Sequence, residues 1–335
     1  MIFFIALASI IISGTVAYII VVCVVLLDKE FRRQTACVFL FNLILVDTIN
    51  LLLVMPFSLP LLRQTWQPDA LWITTCLAFM TTTTETASVL SLALVSFDRL
   101  VAVHRPFVYS AHMTKKRAVQ LCFYTWIQAL IFALVPVPLR WYGFNTRFAS
   151  FTFDESNTSC YHFTSFVVIF FICNTGLSFL VIFASNVYIC RVSRRHRRTV
   201  RLALVPSFLL KIPPPPQTSA KRMAIKIFLV VGSFVVCHFP YASVRMLEPL
   251  SRGTLIATRW TVATKWLSFA QSALDPFVYF MLQKKFQKVL SRSLRSVFLR
   301  NQVLHEEERV IPHTRIRRNA AVATIHTVNT VEVDC

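Results

Sequence analysis

Few side chains in this sequence can do chemistry, and those few stand alone inside long apolar runs. Asp47, Glu85 and Asp275 are carboxyl groups of this kind, Lys265 and Arg245 are cations, and Asp98-Arg99 is an adjacent pair closing the run that starts near Leu71. An ionisable group in such surroundings is costly, so it either pairs or serves a function. Asp98 is placed to hold the Arg99 guanidinium; the plainer alternative is an interfacial pair that only stops a helix. Asp47 is either a functional carboxylate or a neutral, hydrogen-bonded acid. His238 is either a proton sensor or a core histidine. No nucleophile–base set and no metal-ligand cluster stands out, so an enzyme is disfavoured and no metal centre is expected.

The elements that must position these groups are membrane spans. The apolar fraction is 56%, only 15% of residues are charged, and the mean hydropathy is +0.60, too oily for a soluble chain of 335 residues. Seven helical spans fit the apolar runs, at 2–27, 36–62, 72–103, 117–139, 163–190, 221–247 and 259–282. The first run lacks a basic start and a cleavage site, so it reads as a span and not a signal peptide. The segments 28–35, 98–117, 191–226 and 283–335 hold 28 of the 35 Lys and Arg residues. Basic residues accumulate in cytosolic loops, so these segments and the C-terminus are expected in the cytosol and the N-terminus outside. The net charge of +20 is then topology, and nucleic acid is not a partner. Membrane lipid is one, because residues 283–298 alternate apolar and basic side chains as a helix lying along the inner leaflet does. Residues 299–335 read as a disordered cytosolic tail. The fold class is an all-α membrane protein, a seven-helix bundle over 1–282 with a short amphipathic eighth helix. A transporter or channel is the alternative class, although no internal repeat is found.

Several motifs fall in a fixed order along these spans: Asn42-Leu with Asp47, Asp98-Arg99-Leu-Val-Ala-Val-x-x-Pro106, Trp126, Cys237-x-x-Pro240 and Asp275-Pro-x-x-Tyr279. Together they resemble the signatures of rhodopsin-like (class A) G-protein-coupled receptors. Within that family Arg32-Arg-Gln, Tyr124-Thr-Trp126, Trp141-x-Gly143-Phe, Phe148-Ala-Ser and Asp275-Pro-Phe are similar to a small orphan subgroup. Leu100 replaces the usual Tyr, His238 the usual Trp, and Tyr18 stands where the first span normally carries Asn, so a buried polar anchor is expected to be missing. The helix-5 Pro before Tyr188 is absent. Phe269 occupies the place of the retinal Lys of opsins, with Lys265 a turn too early, so a light sensor is not implied.

The resemblance implies a plasma-membrane receptor acting on a heterotrimeric G protein in response to an unknown extracellular ligand. Its activation switch would comprise Asp98, Arg99, Tyr188, Pro240 and Tyr279: Arg99 releases Asp98 and meets the G protein while the two tyrosines close in and helix 6 swings at Pro240. For the basic third cytosolic loop, docking of the G protein and contact with anionic lipid stand as alternatives. Relatives often restrain the Arg with an acid at the base of helix 6; here Ser219-Ala-Lys-Arg-Met is basic, so raised basal output is expected. Asp47, Ser88 and Asp275 would form a site for Na⁺ or a shared proton, since two carboxylates in a dry site do not both stay charged unaided. No other cofactor is implied. Cys76 and Cys160 would form the family's disulfide, although Cys76 lies two residues closer to Asp98-Arg99 than usual, and Asn157-Thr-Ser159 is a glycosylation acceptor.

The ligand pocket follows from the same landmarks. Thr81 stands where amine receptors carry an Asp, so an amine held there is not expected. Glu85 and Lys265 lie 14 residues before Arg99 and Tyr279, which places both roughly 21 Å above the cytosolic end. Arg245 looks into the same cavity. One reading is an internal Glu85–Lys265 bridge; the other has Lys265 and Arg245 receive an acidic ligand group, with Tyr241, Trp260 and Trp266 lining the cavity.

Overall fold

A computed structural model describes residues 2–27, 34–57, 71–105, 109, 111–145, 147–154, 161–204, 232–248 and 258–282. Seven helical spans run through them: α1 (Ile2–Leu27), α2 (Thr35–Ile49, continued to residue 57), α3 (Leu71–His104), α4 (Lys115–Leu134), α5 (Tyr161–Phe171 continued as Leu177–Leu204), α6 (232–237 and Phe239–Leu247) and α7 (Thr258–Leu282). The expected all-α bundle of seven spans is therefore present. One addition was not expected: β1 (Tyr142–Asn145) and β2 (Ser150–Phe153) form an antiparallel hairpin between α4 and α5, with Tyr142 opposite Phe153 and Asn145 opposite Ser150.

Thr35–Phe57, Leu71–His104, Lys115–Leu134 and Tyr161–Val192 are each long and apolar enough to cross a membrane. Their outward faces carry exposed Phe123, Ile131, Leu180 and Phe183, which water would not tolerate as a continuous band but lipid does. The inward faces use small residues. Ala87 of α3 and Ala129 of α4 pack with Val46 of α2, because without bulky side chains the backbones approach closely. A Cβ on Gly14 would stand 3.0 Å from Leu51 and 3.2 Å from Ala273, so α1 seats directly on α2 and α7. α3 is the hub, packing against α2, α4, α5 and both strands.

Helix irregularities have local causes. α2 widens to a π turn at Asn50–Val54, where Met55 N–H reaches back five residues to the Asn50 carbonyl. This accommodates Pro56, which lacks an N–H and crowds the preceding turn. α5 has a second π turn at Ile172–Gly176, near the place of the absent proline. Asn174 Nδ2 donates to the Phe170 carbonyl at 2.9 Å, so a side-chain donor satisfies a carbonyl in the distorted turn. α4 stops at Leu134, short of the expected 139, and residues 135–140 form turns around Pro136 and Pro138. α6 breaks at His238, since Pro240 leaves the Val236 carbonyl without its helical donor. α5 runs on to Leu204, carrying the basic segment beyond its expected end at 190. The third-loop residues 205–231, the eighth helix at 283–298 and the tail at 299–335 lie outside the described residues.

Candidate functional site

The end of the bundle at the α4–α5 connection is capped by the hairpin. Phe148, Phe151 and Phe153 are buried with Trp141 and Tyr142 against Ala78 of α3, Phe170 and Phe171 of α5, and Tyr241 of α6. Phe153 stacks on Tyr142 at 5.6 Å, and Phe148 meets Tyr241 edge-on at 5.6 Å. Asn145 Oδ1 accepts from the Arg147 and Phe148 N–H groups at 3.0 and 3.4 Å, which closes the turn. Ala149 takes φ 47°, a left-handed conformation that a non-glycine residue adopts only when its surroundings hold it there. From α7, Thr261 Oγ1 donates to the Arg147 carbonyl at 2.5 Å.

Beneath this cap lie two buried ion pairs. Lys265 Nζ bonds the Glu85 carboxylate, tying α7 to α3, and contacts the Tyr241 hydroxyl at 3.4 Å. The ammonium lies 4.5 Å from the Tyr241 ring centre and 4.7 Å from that of Phe269. Of the two sequence readings for Glu85 and Lys265, the internal bridge is the one formed. Arg245 does not join them. Its Nη1 donates to Glu248 at 2.5 Å and its Nη2 to the Phe153 carbonyl at 3.0 Å, with the guanidinium 4.8 Å from the Phe148 ring centre. The expectation that Arg245 and Lys265 converge on one acidic group is thereby corrected, because the hairpin occupies Arg245 instead. Trp260 is 70% exposed and does not line the cavity, also a correction; its helical position turns it outward. Trp266 and Tyr241 are buried. A cavity remains among Thr82, Glu85, Asn174, His238 and Tyr241.

Midway down the bundle, Asp47 gathers hydroxyl groups. Its Oδ1 accepts from Ser88 at 2.6 Å and Ser272 at 3.3 Å, and its Oδ2 from Tyr18 at 2.9 Å. The Asp275 carboxyl group lies beside that of Asp47. The three expected residues thus come together, and Tyr18 joins them: its hydroxyl also lies 2.8 Å from the Ser272 carbonyl. The missing anchor is therefore supplied by a longer side chain, which corrects the expectation drawn from the absent Asn. The acceptors Asn50 Oδ1 and Asp275 Oδ2 are buried without a donor, an arrangement that fits one positive charge. Nearby, Asn42 donates to Ser91 at 2.8 Å and accepts from Trp126 Nε1 at 2.9 Å.

At the inner end Asp98 is 1% exposed and Arg99 49%, with 3.2 Å between them. Tyr109, from the segment after α3, donates to Asp98 at 2.6 Å. Burial and then the Asp98 carboxylate hold the Tyr109 phenol above its usual pKa, so it remains a donor. Tyr188 reaches His104 instead of Arg99, with 2.5 Å from its hydroxyl to Nδ1. Pro240 sits at the α6 break. Tyr109 and His104 sit in or beside the Asp98-Arg99 motif at positions that it leaves open, and Tyr18 is named in the sequence only as the place of an absent Asn.

Cys76 is exposed on α3 and forms no disulfide among the described residues. Its expected partner Cys160, the acceptor Asn157 and the side chain of Tyr279 lie outside them.

The model of the family described as "7 transmembrane receptor (rhodopsin family)" matches residues 18–279. G-protein coupled receptor 26 of Mus musculus is 29% identical over 296 residues, covering 82% of this chain and 85% of that receptor. G-protein coupled receptor 78 of Homo sapiens is 25% identical over 275 residues, covering 79% and 76%. The histamine H2 receptor of Canis lupus familiaris is 26% identical over 303 residues, covering 86% and 78%.

Proposed function

The chain belongs to the rhodopsin family of seven-transmembrane receptors, and from that premise we propose how its sites divide the work. As a G-protein-coupled receptor it turns an extracellular signal, or basal activity, into nucleotide exchange on a heterotrimeric G protein; it is not a transporter or channel. Its similarity to G-protein coupled receptors 26 and 78 agrees with the orphan subgroup that its motifs resemble. The family is a multi-pass one of the plasma membrane and generally non-enzymatic.

The proposal assigns the switch to Asp98, Arg99, Tyr188, Pro240 and Tyr279. The observation that carries it is the asymmetry of the Asp98–Arg99 pair: the acid is buried and held by Tyr109, while the arginine stands half in the open. Water solvates such an arginine when it leaves, while Tyr109 still donates to the buried Asp98, so the arginine is available to a cytosolic protein. That requires the N-terminus outside and the C-terminus in the cytosol, as the 28 of 35 basic residues on one side favour.

Signal entry is assigned to the outer cavity. The similarity to the histamine H2 receptor raises an amine ligand, but Thr81 lacks the charge to hold one and Glu85 is already paired with Lys265. An acidic ligand would have to take Lys265 from Glu85, and the hairpin residues Thr152 and Phe153 line the cavity it would enter. Asp47, Ser88, Ser272 and Asp275, with Tyr18, are proposed to hold one added positive charge, as Na⁺ or as a shared proton. Cys76–Cys160 and a glycan on Asn157 are proposed on the outer face.

Purified receptor in lipid nanodiscs, mixed with a panel of heterotrimeric G proteins, tests this. Nucleotide exchange above empty nanodiscs with at least one G protein, lost in Arg99→Ala, is the expected result. Exchange that ignores Arg99→Ala would overturn the switch assignment. Repeating the measurement with Na⁺ replaced by choline separates the ion from the proton.

A further inference from the structure

His104 closes α3 five residues after Arg99. At about 100° per residue this puts it some 140° around the helix from Arg99. The Tyr188 hydroxyl lies 2.5 Å from His104 Nδ1, and the two rings meet edge-on with centroids 5.4 Å apart. A hydroxyl engaged there is turned away from the guanidinium. Arg99 meanwhile is bonded to Asp98, so both halves of the switch are held apart in the same structure. The base of helix 6 offers only Ser219-Ala-Lys-Arg-Met in sequence, with no acid to restrain Arg99 from that side.

We infer that His104 is a positioning residue of the cytosolic switch, a latch on α3 that keeps the α5 Tyr188 hydroxyl from closing on Arg99. This rests on the reading of Tyr188 as the residue that moves to Arg99 on activation. His104 is exposed, so its ring adds little buried area and the hydrogen bond carries the effect. A contact made in one state and lost in the other shifts the balance by its own strength, roughly two- to tenfold for a neutral hydrogen bond.

The two partners of this one bond should then respond with opposite signs. His104→Phe keeps a ring at the site but removes the nitrogen, freeing Tyr188, and basal nucleotide exchange should rise roughly two- to tenfold. His104→Asn offers an amide near the position of Nδ1 and should return exchange toward the parent level. Tyr188→Phe removes the hydroxyl that Arg99 needs, so exchange should fall, and it should cancel the rise in the double variant. A merely structural contact would move both single variants in the same direction. If Tyr188→Phe lowers exchange while His104→Phe leaves it unchanged or lower, the latch is overturned and the assignment of Tyr188 stands. If Tyr188→Phe raises exchange or leaves it unchanged, the assignment of Tyr188 fails, and the latch with it.

A second measurement does not depend on basal activity. With 3-fluorotyrosine incorporated, the ¹⁹F resonance of Tyr188, assigned by its loss in Tyr188→Phe, should shift in His104→Phe and return in His104→Asn. An unshifted resonance in His104→Phe would overturn the latch.

Discussion

The two ends of the bundle treat their charges in opposite ways. Outside, Lys265 is fully buried against Glu85, and Arg245 is sealed between Glu248, the Phe153 carbonyl and the Phe148 ring. Inside, Asp98 is buried but Arg99 is half exposed. Breaking a buried pair strands a charge that neither water nor lipid can solvate, whereas an exposed arginine loses about as much as it regains. On the proposed assignment the pairs at the hairpin end are clamps and the Asp98–Arg99 pair is the switch.

The comparison is broken most easily at Glu85. Glu85→Gln leaves the Lys265 ammonium among neutral groups and is expected to cost about 3–5 kcal/mol, read as a collapse of surface expression. Adding Lys265→Met to it removes the stranded charge and should restore expression. Arg245→Met removes the ion-pair partner of Glu248 and one of the two donors to the Phe153 carbonyl, at about 3 kcal/mol. Hydrogen exchange should show residues 142–153 opening first, and uniform protection there would deny the hairpin its anchor. Asn42→Ala removes a neutral tie between α2, α3 and α4 and leaves the Trp126 N–H unpartnered, at about 2 kcal/mol; its thermal unfolding should fall between that of the outer variants and the parent. Asp98→Asn is the smallest in stability, within about 1 kcal/mol, because the amide oxygen still accepts from Tyr109. Basal exchange should rise all the same.

Sequence made the inner half more legible than the outer. The family resemblance put Asp47, Ser88 and Asp275 in one group and Asp98 with Arg99 in another, and the helices bring each group together. Tyr18 escaped because the reasoning looked for a residue type, while the fold needs a donor at that point and a phenol reaches as well as an amide. The hairpin escaped for a different reason. All four residues of β2 are buried, which erases the alternation that marks a strand, and a run of aromatics beside Pro138 reads as loop. Arg245 and Glu248, three residues apart on one helix, carried a local pairing signal. A partner across the cavity is excluded only by the hairpin, which places the Phe153 carbonyl and the Phe148 ring against Arg245. Trp260, two residues into α7, shows the converse error: an aromatic near a pocket in sequence still faces outward when its helical phase says so.

The central claim is that charge burial separates clamp from switch, and one paired measurement on purified receptor tests it. Thermal unfolding and basal nucleotide exchange are followed together in Glu85→Gln and Asp98→Asn. The account predicts a large drop in unfolding temperature for Glu85→Gln, and for Asp98→Asn a near-parental unfolding temperature with raised exchange. A stable Glu85→Gln receptor, or an Asp98→Asn receptor with exchange at the parent level, would contradict it.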